Sequence, residues 1–392
     1  MASNYCPLPF EHLCIGTNSA LRPCCVGYQF KQTIGGVDDL NKWWHTSEEY
    51  RQLRQDFVDN KQPEQCEGCW QLESRGLESM RQKHLVYNYT VGKVKLKYLE
   101  ITGGRLCNLA CRMCTPICSS TIGKESRPWD EPEVQNFIYQ KSYNWLDEEE
   151  NFQKVLTLFK ENDIEQLYFT GGEPQLMPCY QRLLETVRTI NVVKNRRIHF
   201  NTNASVFNQA FFDCVKEYKI RTIDLSIDAV GDTYDVIRYN GSWGRTKENL
   251  LKIVDYMKDY NEGYTSFFLT VVIQLANIDQ ATALQSLYNE LEAITKHNKL
   301  VGWKCNLIPV TNFPEWQLHN LPIALLKHEL NKLDNQSGMV IDAFKQNIQS
   351  AIDHNSYTPK MFESLQAKEA YFAKQFGKSL FHVNPDWLDY FQ

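Results

Sequence analysis

At 392 residues with 43% hydrophobic content, the chain is long enough for a core of barrel size and a smaller second module, so two folded parts are expected. A net charge of −5 excludes general electrostatic attraction to nucleic acid and leaves only local basic patches for that purpose. The longest apolar run, residues 267–276, carries Thr270 and Gln274 and is too short to cross a bilayer, so it reads as a buried strand and no membrane partner is expected.

No basic segment followed by an apolar run opens the chain, so a secretory signal is not expected and the location reads as cytoplasmic. Thiols there stay reduced, and clustered cysteines bind metal or act in catalysis more often than they form disulfides. Ten of the thirteen cysteines lie at or before Cys118, which points to two metal sites in the first third of the chain.

In chain order, the first of these combines Cys6, the turn Pro23-Cys24-Cys25 and, after a Trp-rich polar helical segment, the knuckle Cys66-Glu-Gly-Cys69. A short hairpin turning near Gly16 to Ser19 lets Cys6, Cys24, Cys66 and Cys69 converge on one tetrahedral or cubane site. Cys25 is the alternative to Cys24, and Cys14 reads as a small hydrophobe in the hairpin core. Four thiolates suit zinc as well as iron–sulfur, so residue type alone leaves both open. Ser74 to Arg81 then reads as a polar, solvated helical link.

From Val94 onward, strand-like runs alternate with helical periodicity, the pattern of a parallel α/β architecture. Strands are predicted at residues 96–102, 166–170, 197–202, 222–227, 267–275 and 302–309. Between them, Leu183, Leu184, Val187 and Ile190, and again Leu250, Ile253, Val254 and Met257, show the three- and four-residue spacing of buried helix faces. The first strand leads into Cys107-Asn-Leu-Ala-Cys111-Arg-Met-Cys114. These three thiols are one short of a closed metal site, and an open metal position is where a cofactor or substrate binds.

In parallel barrels the chemistry gathers where strands end, and these strand ends are polar. The second runs into Gly171-Gly172-Glu173-Pro174, whose glycines permit close approach of the backbone to a ligand and whose carboxylate can meet an ammonium group. The third ends at Asn203 and the fourth at Ser226-Ile-Asp228, groups suited to ribose hydroxyls though equally common as caps and turn formers. Arg238 follows, with a surface ion pair as its plainer role. Cys118 and Cys305 read as buried thiols, and no residue is assigned as acid, base or radical relay.

The CxxxCxxC loop with its Leu99-Glu100-Ile101 lead-in resembles the radical S-adenosylmethionine (SAM) superfamily, with one departure at Met113, where an aromatic residue is usual. The resemblance implies a partial (β/α)6 barrel in which Cys107, Cys111 and Cys114 hold a 4Fe–4S cluster and SAM chelates the fourth iron. It further implies that Gly171, Gly172 and Glu173 bind the SAM amino group, Asn203, Ser226 and Asp228 contact its ribose and methionine parts, and Arg238 pairs with its carboxylate. The N-terminal cysteines are similar to twitch or SPASM auxiliary-cluster modules, although such modules usually follow the barrel. On this resemblance Cys6, Cys24, Cys66 and Cys69 hold a second 4Fe–4S cluster.

The organisation expected is therefore an auxiliary module at 1–90, a radical SAM barrel at 91–310 and a helical extension at 311–392, whose cysteine-free tail covers the open barrel side or an oligomer interface. The activity implied is reductive cleavage of SAM to a 5′-deoxyadenosyl radical that abstracts a substrate hydrogen, with net oxidation of a peptide or protein side chain. An electron donor of flavodoxin or ferredoxin type follows from this chemistry. Oxidation of a small alcohol metabolite is the alternative within the class, and a non-catalytic electron-transfer or metal-binding scaffold, with Cys118 closing the first site, is the alternative outside it.

Overall fold

The structure, a computed structural model, describes residues 4–74, 78–85, 92–125, 127–129, 144–190, 196–258 and 263–391. The expected boundary at 90/91 and the Arg75 to Leu77 part of the polar link lie outside the described residues. The strands are β1 (His12–Ile15), β2 (Leu21–Arg22), β3 (Tyr98–Ile101), β4 (Ala110–Cys111), β5 (Gln166–Phe169), β6 (Arg197–Thr202), β7 (Ile220–Ser226), β8 (Arg238–Tyr239), β9 (Tyr264–Ile273) and β10 (Val301–Pro309). All six expected core strands are present, as β3, β5, β6, β7, β9 and β10. The chain divides into two compact units, one of Met1–Leu106, Glu131–Phe200 and Asn208–Arg221, the other of Cys107–Asp130, Asn201–Phe207 and Thr222–Gln392.

In the first unit the strand order is β6-β5-β3-β1-β2. β3, β5 and β6 pair in parallel, as helical crossovers require. The helix Glu149–Glu161 buries Phe152, Val155 and Phe159, and Pro178–Ile190 buries Tyr180, Leu183, Leu184 and Val187. The expected hairpin is β1–β2, with Cys14 opposite Arg22 and Ser19 at φ 59 in the turn. It also extends the core sheet, because β1 pairs in parallel with β3 from His12 opposite Tyr98 to Ile15 opposite Ile101. Four-residue β1 is buried along its whole length, so alternation gave no sign that it is a strand of that sheet.

The Trp-rich segment forms the helices Leu40–Thr46 and Glu48–Val58, capped by Asp39 and Ser47. Buried Arg54 ties them to the opening segment: Nε donates to the Pro9 carbonyl at 2.8 Å and Nη2 to that of Trp44 at 2.9 Å.

In the second unit the order is β10-β9-β7, and β9 and β10 run parallel from Thr265 opposite Val301 to Ile273 opposite Pro309. One face of β9 buries Thr265, Phe267, Leu269, Val271 and Ile273, the two-residue alternation of a strand. A separate antiparallel ribbon pairs β4 with β8. The helical C-terminal extension is observed as Ile323–Asn331, Met339–Asp353, Pro359–Phe376 and Leu380–Val383. Met339–Asp353 packs on β10 and on the helix Ala281–Thr295. Among the described residues no helix is long and apolar enough to cross a membrane.

Candidate active site and cluster-binding cysteines

All thirteen cysteines are free thiols, so each is chemically available as a ligand. In the second unit, Cys107 and Cys111 are buried and Cys114 is half-buried. Local polar contacts shape this loop. The Cys107 N–H donates to Ser120 Oγ at 3.2 Å, and Thr121 Oγ1 donates to the Cys107 carbonyl at 2.7 Å. The β4–β8 ribbon sets Cys111 opposite Arg238. A hydrogen bond shared with Cys114 holds the Cys111 thiol below its usual range against burial, and the Arg238 and Arg127 charges act in the same direction. Cations beside a thiol favour the thiolate, the form that binds metal.

Asn203 follows β6 in this unit, and its Nδ2 lies 3.7 Å from Cys107 Sγ. Its Oδ1 accepts from the Ser205 N–H at 2.9 Å, and Ser205 Oγ donates to Asn108 Oδ1 at 3.0 Å. Ser226 ends β7, half-buried. Arg238 is not a surface residue: it is 5% exposed and pairs with fully buried Asp228 through Nε at 2.8 Å and Nη2 at 2.7 Å. The other Asp228 oxygen accepts from the Val272 N–H at 2.7 Å. Burial pushes the Asp228 carboxyl up, opposed by Arg238 and this N–H. The carboxylate that sequence reasoning assigned to the ribose and methionine parts of SAM thus has both oxygens engaged within the protein. Cys118, expected to be buried, is exposed, with Thr115 Oγ1 at 3.7 Å from its sulfur.

In the first unit, the Gly171-Gly172-Glu173 turn serves a purpose that the sequence did not disclose. Both glycines have positive φ, 83° and 47°. A Cβ on Gly171 would lie 2.2 Å from Thr102 Cγ2, and one on Gly172 would lie 2.3 Å from the Leu106 carbonyl oxygen. The close approach is therefore to the chain's own segment 102–106. The Glu173 N–H donates to the Leu106 carbonyl at 2.8 Å, and the wholly buried Glu173 carboxylate accepts from the Gln175 N–H at 3.2 Å. Tyr180 braces the same strand ends. Its hydroxyl accepts from the Gly103 N–H at 2.6 Å and lies 3.0 and 2.7 Å from the Ile101 and Thr170 carbonyls.

The auxiliary cysteines also belong to the first unit. Cys6, Cys24, Cys66 and Cys69 are all buried, whereas Cys25 is exposed. Burial, followed by the neighbouring Cys24, Cys66 and Cys69 thiols, pushes Cys6 well above its ordinary range. Those neighbours are the partners that sequence spacing nominates. The Tyr28 N–H donates to the Gln65 carbonyl at 2.9 Å, joining the Cys24 turn to the knuckle. Arg81 bridges to Glu73 and donates to the Tyr5 carbonyl at 3.0 Å, and its charge favours the Cys66 thiolate. Among the described residues no three Cys, His, Asp or Glu side chains gather tightly enough to hold a single metal ion.

The donor chemistry fits two clusters: Cys107, Cys111 and Cys114 on one loop of the second unit, and Cys6, Cys24, Cys66 and Cys69, all buried, in the first. Sequence reasoning missed Tyr180, Arg112 and Arg127, all buried polar braces. Arg112 carried a signal, being a cation inside the cysteine motif itself.

Residues 101–281 match the radical SAM superfamily, and residues 6–70 match SPASM, an iron–sulfur cluster-binding domain. The chain is 23% identical over 156 residues to GTP 3′,8-cyclase of Alkaliphilus metalliredigens, covering 40% of this chain and 42% of that protein. It is 27% identical over 185 residues to an uncharacterized protein of Methanocaldococcus jannaschii, covering 46% and 38%. The match thus spans less than half the length of either curated relative. Among solved structures, Streptococcus suis SuiB bound to precursor peptide SuiA is 12% identical with TM-score 0.35, covering 82% of this chain and 68% of that one. TsrM of Kitasatospora setae, a radical SAM methyltransferase with tryptophan substrate and a SAM analog, is 13% identical with TM-score 0.35, covering 55% and 39%. The chain thus carries a radical SAM domain preceded by a SPASM domain, and the pair implies SAM, a SAM-binding 4Fe–4S cluster and additional iron–sulfur binding.

Proposed function

We propose that this enzyme oxidises a peptide or protein side chain by hydrogen abstraction, with Cys107, Cys111 and Cys114 holding the SAM-binding cluster and Cys6, Cys24, Cys66 and Cys69 holding an auxiliary cluster. What supports the reading is that Cys107, Cys111 and Cys114 are free thiols on one loop and Cys6, Cys24, Cys66 and Cys69 are free and buried: three ligands would leave a cluster open, and four would close it. When bound, SAM and its cluster supply the one-electron chemistry that yields a hydrogen-abstracting radical. A closed auxiliary cluster suits acceptance of an electron from substrate, which makes the outcome a net oxidation.

The chain's own residues divide the remaining work. Arg238 and Arg127 favour the thiolate at Cys111, and Asn203 reaches Cys107. Glu173 is the candidate for the SAM ammonium, held by Gly171 and Gly172 against segment 102–106. Ser226 has a half-buried position suited to a ribose contact. Asp228 and Arg238 act as one buried ion pair, so any contribution to the SAM carboxylate comes from the pair together. Cys24 is preferred to Cys25 because it is buried beside Cys69. The same reading keeps an auxiliary module at 1–90, a barrel at 91–310 and a helical extension at 311–392, working in the cytoplasm with a flavodoxin- or ferredoxin-type donor.

The test is iron and sulfide content after anaerobic reconstitution, with 5′-deoxyadenosine measured from SAM and dithionite. About eight irons per chain with turnover supports the reading. About four irons with turnover removes the auxiliary cluster and the oxidase argument, and no turnover returns the protein to an electron-transfer scaffold. A substrate screen in which only small alcohols accelerate turnover would replace the peptide assignment.

A further inference from the structure

The C-terminal extension reaches the cysteine loop inside the second unit, and it does so through two arginines that no motif assigns. Arg112 lies between Cys111 and Cys114 and is 0% exposed. A cation buried to that degree must be paired and hydrogen-bonded. Its Nη1 donates to Glu369 Oε1 on the helix Pro359–Phe376, its Nε to the Val236 carbonyl at 2.9 Å and its Nη2 to Tyr239 Oη at 2.9 Å. The second Glu369 oxygen accepts from the Leu380 N–H at 2.7 Å, so both carboxylate oxygens are fixed.

Arg127, also 0% exposed, works on the backbone. Its Nη1 donates to the Cys114 carbonyl at 3.2 Å and its Nη2 to the Ala110 carbonyl at 3.1 Å, with the Cys111 carbonyl at 3.4 Å from both. One ring serves both cations: Phe372 lies 4.4 Å from the Arg112 guanidinium and 5.4 Å from that of Arg127. Glu369 and Phe372 are one helical turn apart, so a single helix face holds both arginines.

We propose that Glu369 and Phe372 are positioning residues for the SAM-binding cluster, holding Arg112 and Arg127 so that these fix the loop of Cys107, Cys111 and Cys114 and set the charge beside it. The inference rests on the assignment of those thiols as cluster ligands. A cluster's potential responds to nearby charge and hydrogen bonding. Glu369 offsets the Arg112 charge, so E369Q leaves a less compensated cation beside the cluster and raises its potential. F372L keeps an apolar side chain and removes the shared ring.

The experiment compares the reconstituted full-length protein with E369Q and F372L by redox titration of both clusters, read by electron paramagnetic resonance, and by iron release to a chelator. Expected are a higher potential for the SAM-binding cluster in E369Q and roughly tenfold faster iron release from that cluster in both variants, with the auxiliary cluster unchanged. Unchanged values, or equal shifts of both clusters, overturn the proposal, since the latter marks general loosening. Cluster-free protein supplies a second readout. Iodoacetamide labelling of Cys111 and Cys114 is expected to accelerate in E369Q, and in Y239F if E369Q does not fold, and unchanged labelling overturns the bracing. A wild-type protein that holds no cluster on this loop, yet shows accelerated labelling in the variants, refutes the ligand assignment and leaves the bracing intact.

Discussion

Replacing Gly172 by alanine tests how the Gly-Gly-Glu turn is held. Its φ of +47° lies in the left-handed region, where a Cβ costs about 1–2 kcal/mol. The added methyl would also stand 2.3 Å from the Leu106 carbonyl oxygen and 2.9 Å from the Arg105 carbonyl carbon, both backbone atoms that cannot swing aside. Overpacking of this kind costs about 1–3 kcal/mol. The two together predict a loss of about 2–5 kcal/mol. Relief of the clash moves the turn away from segment 102–106 and breaks the 2.8 Å bond from the Glu173 N–H to Leu106. SAM cleavage is therefore expected to fall along with stability. The assay is urea unfolding beside G244A, whose Cβ meets nothing within 4 Å and whose helical position predicts neutrality or a gain of up to about 1 kcal/mol. A G172A midpoint equal to that of G244A would refute the account.

Three further outcomes are expected. C24S should lose the iron of the auxiliary cluster while C25S retains it, because only Cys24 is buried among the other ligand thiols; iron analysis of each variant decides this. Y180F leaves the buried Gly103 N–H without its acceptor at 2.6 Å, and calorimetry should find a loss of about 1–3 kcal/mol. Burial, with His12 nearby, holds His84 down to about 4 from its ordinary 6.5. Below that ordinary value the unfolded chain binds a proton that the folded chain refuses, so this contribution is complete above 6.5 and is lost as pH falls toward 4. Urea midpoints of the wild type should therefore fall more steeply between about pH 7 and pH 5 than those of H84Q, and equal slopes would exclude His84 as the cause.

Much of this protein was legible before its structure. The six core strands and their helices announced themselves through period, and the cysteine sets through spacing, because each depends on residues a few positions apart. The C-terminal helices were readable for the same reason. Burial was harder to judge: Arg238 and Cys118 are short of strong local pattern, and each lies on the opposite side of the surface from its plainer expectation.

By itself, then, the sequence determined where the cysteines cluster and where the alternating α/β core lies, both properties of single loops or single elements. Tertiary structure alone decided that β1 joins the core sheet beside β3, that the glycines of the Gly-Gly-Glu turn make room for segment 102–106, and that Asp228 pairs with Arg238. It also decided that Arg112 meets Glu369 across 257 positions of chain. Such pairings leave no periodic trace, since a buried charge selects its partner by proximity in the folded chain and not by distance along it.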